Sequence, residues 1–308
     1  MIDKSDITLA YERIHPHIRL TPTIDIAATT FGNEGLWNFK LEMMQHSGSF
    51  KARGAFNNLL SRDVPQAGVV AASGGNHGAA VAYAASILRL PANIFVPEIS
   101  SPVKIERIKS YGAEIHVGGA TYADALQASE TFTRRTGALA IHAYDAAETL
   151  AGQGTLGFEW QKQVPDLDTI VVAVGGGGLI GGIAAWYRND VKIIAVEPET
   201  SCCLNAALNA GGPVDVEVSG IAADSLGARS IGALAYDIAD SFVGKSIVVS
   251  NQAIGYAQKS LWENLRIATE PGGAAAFAAI LDGVYRPDAD ERIGILVCGG
   301  NTVGVNLI

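Results

Sequence analysis

The sequence predicts an α/β protein with parallel sheets flanked by helices, divided into more than one lobe. Three observations carry this reading. Short apolar runs lack polar alternation, Ala-rich stretches separate them, and Gly-rich turns mark where one gives way to the other. A chain of 308 residues is long enough for a sizeable core and a second lobe. With 48% hydrophobic residues, only 17% charged and 35 glycines, it should be globular and densely packed.

In chain order, Val69–Ala72, Ala92–Val96, Glu114–Val117 and Ala138–Ile141 read as strands, followed by Thr169–Val174, Lys192–Val196 and Ile293–Val297. Gly78–Ile87 and Gly181–Tyr187 read as helices between them. No repeat, low-complexity tract or linker is visible, so composition alone marks no lobe boundary.

Several function classes are disfavoured. A net charge of -9 without a long Lys/Arg run argues against nucleic acid or an anionic membrane surface as partner. The start, Met1 to Asp6, is polar, and no apolar run reaches the roughly 20 residues that span a bilayer. Cys202, Cys203 and Cys298 form neither a disulfide framework nor a zinc spacing, so a reducing cytoplasm is the expected setting. There is no HxxxH or HExxH pair, and no metal site is expected to do the chemistry.

Ligands of open α/β sheets bind outside the carboxyl ends of strands. Three Gly-rich turns stand there: Ser73-Gly74-Gly75-Asn76-His77-Gly78, Gly175-Gly176-Gly177-Gly178, and Cys298-Gly299-Gly300-Asn301. The four-glycine turn, with Leu179 opening a helix, suits an anion held by backbone amides. Gly176, Gly178 and Gly181 also fit G-x-G-x-x-G, and Glu197 ends the next strand where a ribose-binding acid belongs. A tight turn without ligand, a phosphate site and an NAD-dependent dehydrogenase all stay open on this stretch.

Lys51 lies in Ser47-Gly48-Ser49-Phe50-Lys51-Ala52-Arg53-Gly54-Ala55, after an aromatic and among small residues, ahead of an apparently helical segment. A lone lysine is usually a solvated surface group. These surroundings also suit a desolvated amine, its pKa lowered towards that of a usable nucleophile, and both readings stay open on this segment alone.

The segment resembles the cofactor-lysine motif of fold-type II pyridoxal-phosphate enzymes, in the serine/threonine dehydratase and serine racemase branch. The Asn76 turn resembles the family's cofactor-facing loop, and Gly175 to Gly178 its phosphate loop. Ala151-Gly152-Gln153-Gly154-Thr155, Glu197-Pro198, Glu270-Pro271 and Cys298-Gly299-Gly300-Asn301 fall in the family's order and rough spacing. The resemblance covers essentially the whole chain, and it makes the dehydrogenase a remote alternative.

The resemblance implies a two-lobed, tryptophan synthase β-like fold. Residues 1–65 and 146–308 would form a large cofactor-binding domain, and 66–145 a small one. It implies pyridoxal 5'-phosphate attached to Lys51, with Phe50 against the ring and the phosphate on Gly175, Gly176, Gly177, Gly178 and Leu179. Asn76 would bond the phenolic oxygen, Cys298 would face the pyridine nitrogen, and Glu270 would flank the ring. Ser73, Gly74, Gly75, Asn76 and His77 would meet the substrate, with Tyr122 and Asp224 in supporting places and His77 shaping the loop.

The implied activity is dehydration and deamination of L-threonine or L-serine to a 2-oxo acid and ammonia. A bulkier substrate (phenylserine- or hydroxyaspartate-like) and β-replacement are the alternatives, and a homodimer is the expected assembly. Four departures bear on this. Gly74 stands where racemising relatives carry serine, which favours dehydration over racemisation. Ala79 stands where relatives often carry glutamine for the substrate carboxylate. An arginine that racemases use for that carboxylate is replaced near Tyr122. Glu197, Ser201 and Cys203 match a cation site in which relatives carry Asp at the last position; a thiol suits hard divalent ions poorly and leaves a monovalent cation compatible. The chain's end at Ile308, soon after the Cys298 loop, carries the expectation of no regulatory domain and no feedback by isoleucine.

Overall fold

The computed structural model describes residues 1–288 and 290–302, so the chain's end at Ile308 lies outside the described residues. The elements run α1 (Lys4–Ile14), β1 (Thr23–Ala27), β2 (Leu36–Lys40), α2 (Lys51–Ser61), β3 (Val69–Ala72), α3 (Asn76–Leu88), β4 (Ala92–Val96) and α4 (Pro102–Ser110). Next come β5 (Glu114–Val117), α5 (Tyr122–Thr136), β6 (Leu139–Ala140), α6 (Ala147–Gln163), β7 (Thr169–Ala173), α7 (Gly178–Tyr187) and β8 (Lys192–Pro198). Then follow α8 (Cys203–Ala210), α9 (Ala223–Leu226), α10 (Ala233–Phe242), β9 (Val243–Val249), α11 (Asn251–Leu265), α12 (Pro271–Leu281) and β10 (Ile293–Leu296).

Two sheets organise the chain. The larger has the order β1-β2-β10-β7-β8-β9, and the smaller β5-β4-β3-β6. Every pairing is parallel except β1 with β2 at one edge. Strands β3, β4, β7 and β10 are buried at every residue, which explains their unbroken apolar runs. The strand expected over Ala138–Ile141 is only two residues long, and the two expected helices start earlier, at Asn76 and Gly178. In both helices the glycine-rich turn feeds directly into the first turn.

The helix that carries Lys51 is anchored by a buried ionic cluster. Arg53 donates to both oxygens of Glu42 (2.6 and 3.0 Å) and to Glu159 (2.9 Å). Lys40 donates to Glu159 (2.5 Å), Gln163 (2.7 Å) and the Thr21 carbonyl (2.8 Å). The four charged side chains balance and are almost wholly buried. Burial alone would raise the Glu159 pKa, but Arg53 and Lys40 hold it below the usual carboxylate range. Helix α2 is thereby tied to α6 and to β2 within two residues of Lys51.

Candidate active site

Lys51 is placed by the strap before it. Ser47 and Gly48 take left-handed backbone (φ 57° and 77°), turning the chain so that Ser49 bridges Gly299 and Phe50 N donates to the Cys298 carbonyl (3.2 Å). The Lys51 segment and the Cys298 loop, far apart in sequence, are thus one backbone unit. Lys51 opens α2, its Nζ donating to the Ala143 carbonyl (2.9 Å) and lying 5.1 Å from the Phe50 ring centre. Burial pushes this amine down to about 8, with Glu270 opposing the shift.

The Asn76 turn meets it from the small sheet. Asn76 Nδ2 donates to Glu270 Oε1 (2.6 Å), and its Oδ1 accepts from Asn301 Nδ2 (2.5 Å). Burial raises the pKa of Glu270. Cys298 is buried with its Sγ toward the Gly272 carbonyl (3.5 Å), and burial pushes its thiol up, so it is neutral at physiological pH. His77 is held at about 3 by burial and by the Lys51 charge. Its Nε2 faces the Ile141 carbonyl (2.9 Å), which can only accept, so that nitrogen carries the proton of a neutral ring. That bond ties the Asn76 turn to the segment after β6.

The four-glycine turn follows β7. Gly177 has φ +94°, open to glycine at little cost, and a Cβ on Gly176 would overlap the Tyr144 ring. No side chain caps α7, so the amides of Gly178, Leu179 and Ile180 form a bare helix N-terminus. Tyr144 has no motif around it, and sequence reasoning passed over it. Burial pushes its hydroxyl up to about 12, with a smaller contribution from the nearby Tyr122.

The expected substrate residues are less evenly gathered. Ser73 Oγ accepts from Gly75 N (3.2 Å), and the Asp224 carbonyl lies 3.4 Å from where a Gly75 Cβ would stand. The Asp224 carboxylate, mostly exposed, pairs with Lys104 of α4. Tyr122 is half-exposed at the start of α5, and among the described residues no hydrogen bond from its hydroxyl reaches this cluster. Glycine at 74 removes a hydroxyl from the turn, yet Ser100 Oγ fills the space where a Gly74 Cβ would be. Only the folded chain shows that second hydroxyl, because Ser100 follows β4.

Glu197 is wholly buried and spends both oxygens on the first turn of α8, accepting from Leu204 N (2.8 Å) and Asn205 N (2.7 Å). Burial raises its pKa to about 7. Cys203 lies beside it, opposing that rise, and its Sγ also donates to the Gly175 carbonyl of the glycine turn (3.2 Å). Surface cavities of about 440 Å³ beside Phe95 and Phe132 and about 410 Å³ beside Leu9 and Leu234 contain none of these residues.

The chain matches the family model described as pyridoxal-phosphate dependent enzyme over residues 14–299. It is 36% identical over 307 residues to a phenylserine dehydratase of Ralstonia pickettii, covering 97% of this chain and 93% of the relative. It is 34% identical over 274 residues to an L-threonine ammonia-lyase of Thermotoga maritima, covering 87% and 68%. Among solved structures, maize serine racemase superposes with a TM-score of 0.91 at 36% identity, covering 97% of this chain and 94% of that one.

Proposed function

The chain belongs to the pyridoxal-phosphate dependent enzyme family, and on that premise we propose that it eliminates the β-hydroxyl of a small hydroxy-amino acid, L-threonine or L-serine, giving a 2-oxo acid and ammonia. One observation carries the reading: a desolvated Lys51 amine lies in one backbone unit with a neutral Cys298 thiol, facing the Asn76 turn.

The residues fit the cofactor. Glu270 Oε2 and Ser49 Oγ are buried without a hydrogen-bond partner among the described residues, and both belong to this cluster. The glycine turn presents bare amides suited to a phosphate. Within this proposal residues 66–145 form one lobe and the described residues of 1–65 and 146–308 the other, with Lys51 between them.

Bound at Lys51, pyridoxal phosphate supplies an electron sink that acidifies the substrate Cα–H. Lys51, freed when the substrate amine takes its place, would then hold the proton taken from Cα, a task suited to an amine whose pKa burial has lowered. The amides at the start of α3, uncapped by any side chain, receive the substrate carboxylate beside Ser73. Cys298, a buried neutral thiol, would put no negative charge beside the pyridine ring, which would disfavour transamination and leave elimination open. The Cα proton and the β-hydroxyl leave together as water, and one water returns as ammonia is released.

A second reading, racemisation, draws on Ser100, whose hydroxyl stands beside Gly74. The deciding experiment incubates the purified protein with L-threonine, L-serine, phenylserine and 3-hydroxyaspartate, following 2-oxo acid, ammonia and D-amino acid. Equimolar 2-oxo acid and ammonia from threonine or serine, with a perturbed visible band, is the expected result. Release only from the bulkier substrates would change the substrate. D-amino acid without 2-oxo acid would replace lyase by racemase. A colourless protein that takes up no pyridoxal phosphate would overturn the proposal altogether.

The amine also sets a pH dependence. Cofactor capture needs neutral Lys51, so its rate in cofactor-free protein should rise about tenfold per pH unit below the folded pKa and level off above about 8. An ordinary exposed lysine would still be gaining rate near pH 10; stopped-flow absorbance across this range separates the two.

A further inference from the structure

A file of four polar side chains crosses the site, and every hydrogen bond in it runs the same way. Arg107 on α4 donates through Nη1 to Asn301 Oδ1. Asn301 Nδ2 donates to Asn76 Oδ1 (2.5 Å), and Asn76 Nδ2 donates to Glu270 Oε1 (2.6 Å). The members alternate between the two sheets' surroundings: α4, the turn after β10, the start of α3, and the residue before α12.

The direction is set at one end. A guanidinium has only donors, so Asn301 must turn its oxygen to Arg107 and its amide nitrogen inward. That nitrogen also donates to the Ser47 carbonyl (2.8 Å), the orientation the guanidinium demands. Asn76 then has its oxygen engaged and turns its N–H₂ inward, where one N–H meets Glu270 and the second is left for a ligand. The other side-chain bond of Arg107 is to the Tyr111 hydroxyl (3.3 Å), and no carboxylate among the described residues lies within ion-pair distance of it. Its charge therefore polarises the file rather than being neutralised at the source. A neutral side chain at 107 would leave the orientation of Asn301 to its bond with the Ser47 carbonyl and would take away the charge that polarises the file.

We propose that Arg107 is a positioning residue that fixes, through Asn301, the donor end of Asn76 toward the phenolic oxygen of bound pyridoxal phosphate. The inference rests on the proposed cofactor and adds a residue from outside every motif in the sequence. A firm donor there favours the anionic phenolic oxygen, which absorbs in the visible. A lost or flipped donor favours the neutral phenol, which absorbs in the near ultraviolet.

The test compares Arg107→Met, Arg107→Lys and Asn301→Asp after reconstitution with pyridoxal phosphate, measuring bound cofactor per chain separately from the spectrum. In Arg107→Met the visible to near-ultraviolet ratio should fall about three- to tenfold at unchanged cofactor content, the worth of one lost hydrogen bond. Arg107→Lys should recover most of the ratio. Asn301→Asp is the sharper variant. It keeps, and strengthens, the contact with Arg107 but cannot donate, so Asn76 Oδ1 loses its partner and faces a carboxylate, the Asn76 amide is no longer held, and the visible band should fall as in Arg107→Met.

A wild-type ratio in cofactor-loaded Arg107→Met overturns the inference. So does a wild-type ratio in Asn301→Asp, which would reduce Arg107 to a tie between segments. Should Arg107→Met fail to fold, Arg107→Lys and Asn301→Asp decide on the same readout. Wild-type protein that binds no cofactor overturns the proposed function and this inference together.

Discussion

Lys51→Ala is expected to remove the visible band and to lower 2-oxo acid formation by at least ~10³-fold, since both the attachment point and the proposed base are lost. The fold should survive. Among the described residues Lys51 makes one side-chain hydrogen bond, to the Ala143 carbonyl, and takes no part in the ionic cluster two residues away. Losing such a bond costs about 1 kcal/mol, partly offset by removal of a desolvated amine. Circular dichroism and thermal unfolding should therefore match the wild type while activity does not. Lys51→Arg separates charge from chemistry, because it keeps a cation without a usable amine nucleophile. Activity retained in either variant would place the chemistry elsewhere.

The other large effect is on stability. Arg53→Met leaves Glu42 and Glu159 facing Lys40 alone, with every member buried. Removing one partner from a buried ionic cluster costs about 3–5 kcal/mol, chiefly the desolvation of the charge left behind. The loss should depend on pH with a definite sign. An uncompensated buried carboxylate has a folded pKa raised above its unfolded value of about 4.3, so the folded variant holds extra protons above that pH. Its stability should then fall as pH rises from about 4.3 through the raised value, and recover in acid relative to the wild type. Urea unfolding at several pH values measures this. A pH-independent loss below ~1 kcal/mol would mean that water or rearrangement compensates the carboxylates.

The same cluster shows why part of the fold was illegible. The central strands announce themselves because both faces are covered. Strand β2 does not, since Asn38 and Lys40 lie in it and a pattern reading counts both as exposed. They are buried because Trp160 Nε1 donates to Asn38 and because Glu159 meets Lys40. Strand β9 carries Lys245 and Ser246 at a sheet edge, and so lacks the unbroken apolar run that marks the central strands.

The site divides in the same way. Lys51, Asn76, the four glycines and Cys298 stand in turns whose composition is constrained locally, so a single sequence displays them. Tyr144, Ser100 and Arg107 reach the site only through packing of one segment on another. Nothing in their neighbours along the chain marks them. Gly74 is the instructive case: its missing side chain was readable, and the hydroxyl that takes its space was not.

Strand β10 is the last described strand in the sequence, yet it lies inside the larger sheet, between β2 and β7. The proposed site inherits a timetable from this. Cys298 and Asn301 follow directly on β10, and the Ser49–Gly299 bridge cannot close until that strand has inserted. Pairing so distant in sequence carries a large loop-closure cost and belongs to the slow part of folding. During synthesis the strap around Lys51 leaves the ribosome early and waits for its partner loop. Affinity for cofactor should thus appear abruptly, at the final step of assembly, and not grow with chain length.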